Sequence, residues 1–226
     1  MTATGWAWLS GAGILAVLDW LAVARGARPL ERIAKPLVMV ALLGAALASS
    51  PTRPGVQGWL VAALALGLAG DVALVAERPA GGDPDAARPR GGLRFALGLA
   101  AFLLGHLSYL RAMVRYGTDQ VSIVFGLVLV LIAVLTFGYR ILAGAQTAGG
   151  NGLTVGVTLY MVVLGSAVVL GVGTEQLWIA AGAVLFGVSD LVLASDRFVR
   201  PWPGARMSVI VTYHLAQALL LLGLVS

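Results

Sequence analysis

An all-α integral membrane protein of eight transmembrane helices, arranged as two parallel four-helix repeats, is the architecture this sequence predicts. Three observations carry that prediction. Of 226 residues, 59 % are hydrophobic and only 11 % charged, with a mean hydropathy of +0.94. A water-soluble domain has no place for that much apolar surface, so the bilayer is its solvent. The basic residues divide unequally between alternate connections. A nine-residue pattern also occurs twice, each time carrying an aspartate into an apolar run.

The apolar segments run roughly over 5–24, 34–50, 57–77, 92–114, 120–139, 153–171, 174–195 and 206–225. The first has no basic stretch before it and no small-residue cleavage motif, so it is read as a permanent helix. The second opens with Lys35-Pro36 and is near the lower limit of about 17 residues for a crossing. The stretch from Glu77 to Gly92, with Asp83-Pro84-Asp85, reads as a loop. The nine prolines are expected in loops or at helix ends, leaving no span broken in its middle. One membrane domain covers 1–226, with repeat halves of roughly 1–115 and 118–226.

An outward N-terminus places Arg25, Arg28, Arg32, Lys35, Arg78, Arg88, Arg90, Arg94, Arg140, Arg197, Arg200 and Arg206 on inner connections. Only Arg53, Arg111 and Arg115 then lie outside, twelve against three. Basic residues concentrate on the cytoplasmic side, so both termini are expected outside a cell (inner) membrane. Trp6, Trp8, Trp59, Trp178 and Trp202 fall near span ends, as an interfacial aromatic belt requires.

The duplicated pattern is Gly70-Asp71-Val72-Ala73-Leu74-Val75-Ala76-Glu77-Arg78 against Ser189-Asp190-Leu191-Val192-Leu193-Ala194-Ser195-Asp196-Arg197. In the helix that follows each copy, Gly105-His106-Leu107-Ser108 matches Tyr213-His214-Leu215-Ala216. Earlier, Leu37, Met39, Val40 and Leu42 match Leu159, Met161, Val162 and Leu164. Four helices per copy keep both copies pointing the same way, which sets Asp71 and Asp190 across a pseudo-twofold axis along the membrane normal. Each aspartate precedes its arginine by seven residues, about 10 Å along a helix, in the cytoplasmic third.

An ionisable side chain in hydrocarbon costs about 2.5–3.5 kcal/mol on insertion scales, so it marks a site unless a facing helix merely satisfies it. Asp71 and Asp190 are the candidate catalytic pair. Around them the sequence places Asp19, Lys35, His106, Tyr109, Ser189, Tyr213, His214 and Gln217 as binding or supporting groups. Lys35 has the alternative of snorkelling to the interface, Asp19 and the histidines that of satisfied packing residues. With no cysteine and two histidines, neither thiolate chemistry nor a three-histidine zinc site is available. No metal and no cofactor is expected. What remains is acid–base chemistry on a membrane lipid, with no nucleic acid partner.

Lys35-Pro36-Leu37, Gly70-Asp71, Gly105-His106 with Tyr109, Phe186 with Ser189-Asp190, Arg197-Phe198, and Thr212-Tyr213 with Gln217 occur in order across nearly the whole chain. In these elements the sequence resembles the YhhN family, membrane proteins that include the vertebrate lysoplasmalogenases. The resemblance implies an eight-helix fold and hydrolysis of the vinyl ether bond of lysoplasmalogens, to fatty aldehyde and glycerophosphocholine or glycerophosphoethanolamine. That chemistry needs one protonated acid and one carboxylate. Two aspartates sharing a proton away from water meet the requirement without metal. A proton-coupled transporter and a non-catalytic lipid-binding protein are the alternative readings of the same embedded groups.

Overall fold

The structure, a computed structural model, describes residues 1–77 and 93–226, and all its regular elements are helical. The loop expected after Glu77, with Arg78, Arg88 and Arg90, lies outside the described residues. The helices are α1 (Ala3–Ala24), α2 (Arg28–Leu47), α3 (Val56–Glu77), α4 (Leu93–Tyr116), α5 (Gln120–Ala133), α6 (Tyr139–Gly173), α7 (Leu177–Phe198) and α8 (Ala205–Val225). A π-turn over Val134–Gly138 joins α5 to α6. Among the described residues, six segments are long and apolar enough to cross a membrane; the whole stretch 120–173 counts as one of them. The chain is a multi-pass membrane protein.

Two helix boundaries differ from the expectation. α2 begins at Arg28, where Gly26 (φ +65°) reverses the chain after α1 and Pro29 opens the first turn, a position that needs no N–H donor. Pro36 therefore lies inside the helix rather than at its end, and Lys35 stands about two turns in instead of opening it. The second difference is in α6. Helix continues past Tyr139 where a long connection was expected, and the chain reverses only at Gly149 and Gly150, whose backbones are non-helical. Gly150 has φ +65° and ψ −159°, a region open essentially to glycine. Gln146 Nε2 donates to Asn151 Oδ1 and Thr154 Oγ1 to Gln146 Oε1 across the reversal.

The two arms of this hairpin pack antiparallel. Gly126 lies so close to Val169 that a Cβ would meet its Cα at 2.8 Å, while Gly165 lies against Val130. In lipid, small residues at a crossing let backbones approach and gain dispersion contacts that the hydrophobic effect does not supply there.

Side-chain and backbone hydrogen bonds fasten the connections at one end. Thr2 caps α1 by accepting from Gly5 N–H at 3.0 Å, and its hydroxyl donates to the Ala48 carbonyl. Thr52 donates to the Ser226 carbonyl, Arg53 to that of Tyr116, and Asp119 N–H to that of Gly173. Both termini thus lie at the same end as the α2–α3, α4–α5 and α6–α7 connections. Glu31 and Arg206 pair at the opposite end, joining the starts of α2 and α8. Every tryptophan of the expected belt is at least 40 % exposed, consistent with that placement.

α8 is the hub, touching α1, α2, α3, α4 and α7. Met39 and Leu42 of α2, Leu60 and Leu64 of α3, Met113 of α4, Ile179 of α7 and Leu220 and Leu221 of α8 are all buried in one core. α5 is the rim, with Gly126 its buried residue.

Candidate active site

A cavity of about 340 Å³ runs between the α5–α6 hairpin and α7, α8, α3 and α2. Its polar lining includes Lys35, Asp71, Ser189, Asp190, Tyr160, Tyr213 and Arg197; most of the rest is aliphatic. Leu129, Val134, Val188 and Leu193 line it and are themselves 38–48 % exposed, so the cavity opens sideways toward lipid. The π-turn contributes Val134 and Gly138 to the wall, in keeping with the frequent use of such turns at functional sites.

Asp71 sits at the buried end. Its side chain has no exposed surface; Oδ1 is 2.7 Å from Lys35 Nζ, and Oδ2 accepts from the Tyr213 hydroxyl at 2.9 Å. The Lys35 ammonium also lies 5.5 Å from the Tyr213 ring centroid. Gly70 explains how α3 comes this close to α4. A Cβ there would lie 2.6 Å from the Phe102 ring, which packs edge-on against Tyr213 at 5.9 Å. Lys35 faces the aspartate and does not snorkel away.

Asp190 has different company. Tyr160 donates to Oδ2 at 2.5 Å, and His106 Nε2 lies 3.9 Å from the same oxygen. His106 is clasped edge-on by Phe186, 4.4 Å between centroids, and by Tyr160. The preceding Ser189 donates to the Val209 carbonyl at 3.0 Å, fixing α7 on α8 at this level. Asp190 is slightly open to the cavity, 13 % exposed.

The other expected residues form two satellites that do not line the cavity. Tyr109 donates to Gln217 Oε1, within the core beside Tyr213. Asp19 and His214, both buried, face each other at 4.0 Å, and Trp20 Nε1 donates to His214 Nδ1 at 3.2 Å. Sequence reasoning missed Tyr160. The available signal was its position in the helix aligned with α2, one residue before Met161, the counterpart of Met39.

Cavity, buried ion pair and second carboxyl belong to a polytopic membrane protein whose embedded polar groups line a cavity open toward lipid. Comparison with known proteins makes the class specific: residues 30–224 match the YhhN family, and the chain belongs to it. Proteins called Lysoplasmalogenase from Mycobacterium bovis and Mycobacterium tuberculosis are each 30 % identical over 188 residues, 82 % of this chain and 67 % of theirs. Lysoplasmalogenase TMEM86A of Bos taurus is 34 % identical over 137 residues, 58 % of this chain and 55 % of its own. The chain thus spans about two thirds of the mycobacterial relatives and about half of the vertebrate one. No solved structure matches it.

Proposed function

We propose that the protein hydrolyses the vinyl ether bond of lysoplasmalogens, with Asp71 and Asp190 as its acid–base pair and no metal. The observation that carries this reading is the cavity itself. Two carboxyls, one held by an ammonium and one by a phenol, open onto an apolar groove that lipid can enter. The relatives' names point to the same substrate class.

Arg197 lines one end of the cavity and is suited to the phosphate of the headgroup. Asp190 lies seven residues earlier on α7, about 10 Å along the helix, the depth of the first bonds of a single chain. Beyond it Val184, Leu129, Leu164 and Val168 supply an apolar bed for the alkenyl tail.

Protonation of the vinyl carbon gives an oxocarbenium-like cation. Water adds to the carbon that bears the ether oxygen, and the hemiacetal collapses to aldehyde and alcohol. The site needs one carboxyl protonated and one ionised, as in two-carboxylate glycoside hydrolysis.

Eight crossings and two parallel repeats accompany this reading. The partners of the aspartates support them. Asp71 of α3 is held by Lys35 of α2 and Tyr213 of α8; Asp190 of α7 is held by Tyr160 of α6 and faced by His106 of α4. Each carboxyl thus meets the second helix of its own half and the last helix of the other. The unequal basic count puts the Arg197 end on the cytoplasmic side.

The test is incubation of purified protein with a lysoplasmalogen and with its saturated ether analogue. Aldehyde release from the first alone is expected, and Asp71→Asn and Asp190→Asn should each abolish it with the fold intact. An active Asp190→Asn protein would sink the acid–base pair; no release by wild type would sink the activity.

A further inference from the structure

The two histidines are fixed in opposite tautomers, and this separates the roles of the aspartates. His106 Nδ1 lies 2.8 Å from the Phe102 carbonyl. A carbonyl only accepts, so Nδ1 carries the hydrogen, and Nε2 of the neutral ring presents a bare lone pair. That Nε2 is buried, makes no hydrogen bond, and faces Asp190 Oδ2. A bare lone pair 3.9 Å from a carboxyl oxygen opposes the carboxylate more than the acid.

His214 is set the other way. The Trp20 indole can only donate, so His214 Nδ1 accepts and Nε2 carries the hydrogen. It is this N–H that faces Asp19. Asp19 faces that N–H at 4.0 Å without a hydrogen bond to either oxygen. Asp71 meets the ammonium of Lys35 and the hydroxyl of Tyr213, and these surroundings favour the anion.

Asp190 pairs with no ammonium or guanidinium among the described residues. Tyr160 from α6 donates to it, which favours the anion as Tyr213 does at Asp71. Against this stand the buried His106 lone pair from α4 and the like charge of Asp71. Lys35 across the cavity, Tyr213 from α8 and Arg197 two turns along α7 complete its surroundings. α5 brings only apolar side chains to the cavity.

We propose that Asp190 is the proton donor of the site, held as the acid by the lone pair of His106, while Asp71 remains the carboxylate. The step it serves rests on the vinyl ether reading above. The Asp190 O–H breaks as a C–H bond forms, from the π pair, at the vinyl carbon remote from oxygen. Positive charge develops on the carbon bearing the ether oxygen and is stabilised by the Asp71 carboxylate. Water adds there and returns a proton to Asp190. The hemiacetal hydroxyl proton then passes to the glyceryl oxygen as the carbon–oxygen bond breaks, so no net proton is consumed. His106 acts through Asp190 and is a positioning residue.

Infrared spectroscopy of the purified full chain at neutral pH tests the assignment without substrate. A protonated carboxyl has a C=O stretch that shifts on transfer to heavy water. The band is expected in wild type, Asp71→Asn, Asp19→Asn and Asp190→Glu, and is expected to vanish in Asp190→Asn. His106→Leu should lower the ratio of protonated to ionised carboxyl about threefold, by removing a lone pair 3.9 Å from the carboxyl. Absence of the band in wild type, or its loss in Asp71→Asn with retention in Asp190→Asn, overturns the proposal, and the wild-type arm needs no variant to fold. An unchanged ratio in His106→Leu overturns the role of the histidine. These outcomes stand apart from aldehyde release, whose failure would remove the activity and leave the protonation state measured.

Discussion

Tyr160→Phe combined with Asp190→Leu measures the contact that sequence reasoning did not find. Tyr160 donates to Asp190 Oδ2 at 2.5 Å, within the distance of a good O–H···O bond. Phenylalanine keeps the ring that packs on His106 and deletes only the hydroxyl; leucine keeps the branched shape of the aspartate without an acceptor. The magnitude depends on charge. A hydroxyl bonded to a neutral acid contributes about 0.5–1.5 kcal/mol net, whereas one bonded to a charged group contributes about 1.5–3 kcal/mol. With Asp190 as the acid, the coupling energy of the cycle should be about 1 kcal/mol. The assay is reversible unfolding in mixed detergent for wild type, both single variants and the double variant, with the pairwise term taken from the cycle. A coupling near zero would show the hydrogen bond to be absent. One of about 2 kcal/mol or more would show Asp190 to be ionised and refute its role as donor.

Three further outcomes follow from other parts of the fold. Gly126→Leu places side-chain atoms where the Val169 backbone already lies, so it should cost about 1–3 kcal/mol, read as a lowered thermal unfolding midpoint in detergent. Val168→Trp fills the apolar part of the cavity and should raise KM about tenfold for long-chain substrates, a few kcal/mol being available from such a pocket; equal effects on short and long chains would count against that bed. Asp119 caps α5 outside the membrane-spanning segments, and the hydrogen bond from Ser122 N–H at 2.9 Å holds its carboxyl below the usual 3.8. Its contribution to stability is therefore present at neutral pH and is lost as pH falls through the folded-state value. Asp119→Ala should lower the unfolding midpoint at pH 7, with the difference from wild type closing as pH falls below 3.8.

What was legible in the sequence is what a bilayer makes expensive. Asp71, Asp190 and Lys35 stand out in apolar runs because few arrangements tolerate them, and the structure brings all three to one cavity. Tyr160 was not legible because a tyrosine in an apolar run costs little and is usually packing. The boundary of α2 was misjudged because the residue before a proline disfavours helix, and Lys35-Pro36 looked like a start. Arg28-Pro29 after Gly26 is the actual start, and tertiary packing carries the helix through Pro36. In α6 the apolar spans 120–139 and 153–171 left a connection between them, with Arg140 on it. The reversal turns on the positive φ of Gly150, so helix persists until the Gly149-Gly150 pair.

The cavity has a guanidinium at one end and an aliphatic lining beyond the aspartates, and it opens sideways to lipid. Cleavage between them would leave two fragments with opposite solubilities. A fatty aldehyde would diffuse away in the plane of the membrane, while a glycerophosphodiester would leave toward water past Arg197. The released alcohol should then compete for the charged end in proportion to its aqueous concentration. The aldehyde should compete only in proportion to its mole fraction in the bilayer, so excess lipid would relieve one inhibition and leave the other unchanged.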